Sequence, residues 1–99
     1  MTTDPFASLR DRVLDRVLDG PGETPPALRR AAADGAGLPD ELQALVTTVH
    51  RHAYRVTDED VARLRATHSD DALFEVVVSA ALGASRQRLL AGLEALDRA

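Results

Sequence analysis

Apolar residues recur every three to four positions along this chain, in five runs punctuated by glycine and proline, and that period predicts helices. In the first run Phe6, Leu9, Val13, Val17 and Leu18 share helical spacing. Asp4-Pro5 offers a cap and a proline at the first helical position, and Gly20 stops the run. The doubled Arg-Val-Leu-Asp at 12–15 and 16–19 follows the same period and is too short to be a structural repeat. After the Gly20-Pro21-Gly22 turn, Thr24 predicts the cap of a short helix opened by Pro25 or Pro26 and closed near Gly35. The third helix is expected from Pro39, with Asp40 and Glu41 in its first turn, where the helix dipole favours carboxylates. Its apolar stripe is Leu42, Leu45, Val46, Val49 and Ala53. His52 falls on that stripe, and His50 and Arg51 do not.

Thr57 ahead of Asp58, Glu59 and Asp60 predicts a capped helix running through Val61 and Leu64. Ser69-Asp70-Asp71 predicts another over residues 72–96, with a candidate break at Gly83-Ala84-Ser85. Between residues 72 and 84 this last helix is apolar on nearly all sides apart from Glu75 and Ser79, which predicts burial. Leu89, Leu93 and Leu96 continue it as a narrower stripe. Val76-Val77-Val78 favours a strand in isolation, but it lies inside a capped helical pattern that overrides the propensity. The expected fold is all-α: a compact bundle of about five helices, one domain over residues 1–99.

Composition narrows the partners. A chain of 99 residues buries roughly two-thirds of its unfolded surface, a modest core that a second copy would extend. With only Phe6, Tyr54 and Phe74 aromatic, the core must be leucine, valine and alanine. A net charge of −4 argues against a nucleic-acid backbone as partner, since phosphate binding needs a basic face. No run of 18 apolar residues predicts a membrane span. Residues 1–12 alternate charges without an apolar segment, so they do not read as a secretory signal, and a cytoplasmic location is expected. The chain has no cysteine, which excludes disulfides and cysteine-ligated metal within it.

Residues 39–84 resemble the carboxymuconolactone decarboxylase and alkylhydroperoxidase D-like superfamily. The resemblance rests on Ser69-Asp-Asp-Ala-Leu-Phe-Glu75 followed by Val-Val-Val-Ser-Ala-Ala-Leu-Gly-Ala, and on the acidic turn and helix beginning at Asp40. It implies a helical bundle of that family's type and a homo-oligomer. The peroxidase branch carries Cys-x-x-Cys, a histidine four residues on and a glycine eight further. With Thr67 at the glycine position, His52 and Arg55 stand at the cysteine positions, Glu59 at the histidine position and Asp40 at the upstream acid. Disulfide exchange requires a thiolate, so thiol peroxidase activity is not expected. The decarboxylase branch resembles a proton-transfer enzyme. By that likeness His52, Arg55 and Glu59 are candidate catalytic residues for an acidic metabolite, with Arg55 clamping a carboxylate, His52 and Glu59 moving protons, and Asp40 supporting.

Each candidate has a plainer reading. A histidine on an apolar stripe is more often a packed, singly hydrogen-bonded residue than a catalyst. Arg55 and Glu59, four apart, suit a surface ion pair. His50 and His52 do not share a helix face and His68 is remote, so no metal site is expected. Glu75, a carboxylate in the most apolar stretch, demands a partner, ordinarily an arginine. No cofactor motif occurs. Two functions from different classes follow. The first is a redox-inactive, oligomeric binding or assembly subunit. The second is a small cofactor-free proton-transfer or decarboxylating enzyme using His52, Arg55 and Glu59.

Overall fold

The computed structural model describes residues 5–99, which form five α-helices with no strand among them: α1 (Ala7–Asp19), α2 (Pro26–Asp34), α3 (Asp40–His52), α4 (Asp58–Leu64) and α5 (Asp70–Arg98). A single 3-10 turn, Ala53–Arg55, joins α3 to α4. The fold is thus the all-α bundle that the periodicity predicts.

The helix boundaries follow local chemistry. Gly20 ends α1, and Gly35, in the left-handed region at φ 84°, ends α2. Thr57 and Asp60 form a reciprocal capping box on α4, and the Ser69 hydroxyl accepts from the Ala72 N–H at the start of α5. Asp4, expected to cap α1, lies outside the described residues. At α2 the expected cap is corrected. Pro25, without a side-chain hydrogen bond, precedes the helix, and the Thr24 hydroxyl donates to Glu75 instead.

The core is Ala32 from α2, Leu42, Leu45, Val46 and Val49 from α3, Leu64 from α4, and Leu73, Val76 and Ala80 from α5. The α3 stripe therefore packs as its spacing predicts, as far as Val49. The expected break at Gly83-Ala84-Ser85 is absent, and α5 runs unbroken for 29 residues, about 43 Å. Gly83 is there for close packing: a Cβ at this position would stand 2.5 Å from the Ala33 carbonyl carbon of α2. The length of α5 sets the long axis of a 48 × 28 × 20 Å molecule.

Burial of α5 is also narrower than predicted. Leu73, Val76, Ser79, Ala80, Gly83 and Ala84 are enclosed, but Phe74 is 69% exposed, because α2 and α3 cover only one side. Similarly, α1 buries Leu18 while Phe6, Leu9 and Val13 are left more than half exposed.

Candidate interaction surface

The one carboxylate that the sequence places in apolar surroundings is tied down. Glu75 accepts from the Thr24 hydroxyl (2.6 Å), the Thr24 N–H (3.0 Å) and the Glu23 N–H (2.8 Å). The expected arginine is Arg29, whose Nε stands 4.0 Å from Glu75, so the loop before α2 supplies the direct bonds. These donors, the Thr24 hydroxyl foremost, hold the carboxyl below the usual glutamate range against the opposing effect of burial. Arg29, itself buried, donates to the carbonyls of Val17 (2.8 Å) and Gly20 (2.7 Å), which are left open at the end of α1. On the outer side of the same joint, Arg30 reaches Asp15 (3.2 Å) and Asp19, and its hydrogen bond lowers the Asp19 pKa. This network fastens α1, α2 and α5 together and leaves no free carboxyl at Glu75 for acid chemistry.

The ionisable trio lies elsewhere. His52 ends α3 with φ −151° and ψ 73°, so the stripe does not continue to it, and its side chain is exposed. Ala53, expected on that stripe, is exposed as well. The His52 ring meets the Tyr54 ring edge-on at 5.7 Å, and the Arg55 guanidinium stands 5.8 Å from the centre of the Tyr54 ring. Glu59 is exposed in the first turn of α4, with no hydrogen bond, ion pair or ring contact to either. Asp40 is exposed in the first turn of α3. The histidine that packs is His50, whose Nε2 lies 2.8 Å from the Ala32 carbonyl near the end of α2. Among the described residues, no group of three His, Asp or Glu side chains is placed to hold a metal ion, and no helix is long and apolar enough to cross a membrane.

Apolar surface is the feature in excess. A groove of about 290 Å³ runs between α1 and α5, with Val13 and Leu14 on one wall and Leu82 and Leu89 on the other. Leu9 extends it along α1, where Arg12 and Arg16 flank it. On α5 the same outer face continues through Leu93 to Leu96, which is 67% exposed. Arg86 stitches the two helices through Asp11 at 3.3 Å. A second depression, about 440 Å³, lies between α4 and α5 and includes Leu45, Val61, Leu64, Phe74 and Val77.

The leucine stripe of α5 is legible in the sequence. The contribution of α1 is not, because Phe6, Leu9 and Val13 have the spacing of a core face and differ from one only in what they pack against. No protein-family model, curated protein sequence or solved structure matches this chain.

Proposed function

We propose that this chain is a non-catalytic helical module that works by self-association, as an oligomeric binding or assembly subunit. The observation that carries the reading is the α1–α5 groove. Leu9, Val13, Leu89 and Leu96 are each at least 42% exposed; Val13 and Leu89 wall the groove, Leu9 adjoins it along α1, and Leu96 lies about two turns beyond Leu89 on α5. Contiguous apolar surface of this kind marks association sites on small domains. His52 and Arg55 meet at the Tyr54 ring, but all three residues are exposed and Glu59 contacts neither of the others, which supports the same reading, since acid–base work needs groups converging within hydrogen-bond reach of one substrate. The likeness of residues 39–84 to the carboxymuconolactone decarboxylase-like superfamily is compatible with it: a member without thiols keeps the packing helices and gives up the redox chemistry.

Thermal denaturation across concentration tests the proposal. Association of folded chains alone raises Tm with concentration. The expected result is a higher Tm at about 200 µM than at about 2 µM chain, a range over which a micromolar self-affinity changes the bound fraction. An unchanged Tm contradicts it.

A further inference from the structure

Building on the self-association reading, we propose that two copies of this chain pair about a two-fold axis crossing α5 between Leu90 and Ala91, with the C-terminal halves of α5 antiparallel.

The spacing of large and small residues specifies the arrangement. Leu82, Leu89 and Leu96 recur every seven residues on the outer face of α5, and Ser85 and Gly92 fall between them at the positions that complete a seven-residue seam. Antiparallel pairing about this axis sets Leu89 against Gly92 of the second copy, Leu96 against Ser85, and Leu82 against Ala99. Leu82, Leu89 and Leu96 then each enter a small-residue gap. A parallel pair in register would set leucine on leucine, an ordinary contact, but Gly92 on Gly92 and Ser85 on Ser85, leaving voids between the leucine layers.

The open space around Gly92 fits this arrangement. A Cβ on Gly92 would meet nothing within 4 Å, whereas one on Gly83 would collide with α2. Glycine in a helix interior costs about 1 kcal/mol relative to alanine. Nothing in the single chain requires that cost at Gly92, and close approach of a second helix does.

Extent agrees, and charge does not oppose it. Antiparallel pairing brings Arg12 and Arg16 of α1 toward the end of the second α5, where Asp97 and Glu94, the latter ion-paired with Arg98 at 3.1 Å, are carried. The stripe from Leu82 to Leu96 is about 21 Å long. Alongside it α1 widens the face by one helix spacing, about 8–10 Å. Such a face covers on the order of 400 Å² per partner, about half the roughly 800 Å² of a standard stable interface. A reversible dimer is the expected product.

The absence of native cysteine makes disulfide trapping clean. Ser85→Cys and Leu96→Cys, both at exposed positions, are oxidised separately and as an equimolar mixture, and the products are identified by intact mass. A disulfide needs Cα atoms about 4.4–6.8 Å apart. In the proposed pair each cysteine lies about 16 Å along the helix from its own equivalent and opposite the other variant's. The expected result is a mixed Ser85→Cys/Leu96→Cys dimer and little cross-linking of either variant alone. Efficient cross-linking of each variant with itself overturns the arrangement in favour of a parallel one. No cross-link in any sample, while sedimentation of the unmodified chain reports a dimer, overturns the arrangement and leaves self-association standing. A monomeric mass at all concentrations overturns both.

Discussion

Gly83 of α5 and Ala33 of α2 define the closest approach of the two helices. A methyl group at residue 83 would stand 2.5 Å from the Ala33 carbonyl carbon and nearer still to its oxygen. Neither obstacle can yield without moving α2, because both are backbone. Gly83→Ala therefore separates the helices despite its better helix propensity. We expect a loss of about 2–3 kcal/mol in urea denaturation, the range for overpacking a core. Gly92→Ala, with open space around its Cβ, instead leaves the isolated chain equally stable or more so.

Glu75 gives stability a dependence on acid. Its carboxyl sits below the usual value because Thr24 and Glu23 donate three hydrogen bonds to the charged form. A lowered folded-state pKa contributes stability that is complete above the unfolded value, about 4.3. That stability is lost as pH falls through the lower folded value. Denaturation midpoints should thus fall below about pH 4.3 in the native chain. Glu75→Gln should cost about 2 kcal/mol at pH 7 and flatten this acid limb. An acid limb unchanged by the substitution would show that the three hydrogen bonds do not favour the carboxylate.

Arg29 is the counterpart of Glu75, buried with two bonds to the carbonyls at the end of α1. Truncation leaves those carbonyls unpaired and removes the nearest cation from Glu75. Arg29→Ala should cost about 3 kcal/mol or more. The check is urea denaturation combined with amide exchange, which should quicken first in α1 as its tie to α2 fails.

The two neighbouring histidines of α3 should separate cleanly. His50→Ala removes the contact with the Ala32 carbonyl and should cost about 1 kcal/mol. His52→Ala, at an exposed position, should change stability by less than about 0.5 kcal/mol. The reverse order would restore the packing role that the sequence assigns to His52.

Ser79 is fully enclosed and its hydroxyl has no hydrogen-bond partner. Ser79→Ala removes an unsatisfied group at little cost in volume and should raise stability by about 1 kcal/mol, read as a higher urea midpoint.

The fold was legible wherever local chemistry decides it. Gly20, Gly35, Thr57 and Ser69 mark helix ends that depend only on neighbouring backbone, and the Leu42-to-Val49 stripe packs as spaced. Tertiary context decided the rest. Gly83 reads as a break in isolation and is a packing contact because α2 lies against it. Thr24 has the chemistry of a cap, yet Glu75, 51 residues away, takes its hydroxyl. His52 falls off the stripe because α3 ends at that residue. For the candidate surface, periodicity reveals the α5 leucines, but no pattern within α1 tells a face that meets the core from one that meets nothing.

Self-association through the α1–α5 face is tested most directly by sedimentation equilibrium of the unmodified chain beside Leu89→Arg, a change at a 42% exposed position in the centre of the stripe. A mass approaching twice 10.6 kDa is expected for the unmodified chain at about 100 µM, well above a micromolar dissociation constant, and 10.6 kDa with unchanged helicity for the variant. A mass of 10.6 kDa for both, or a dimer that survives the arginine, would contradict it.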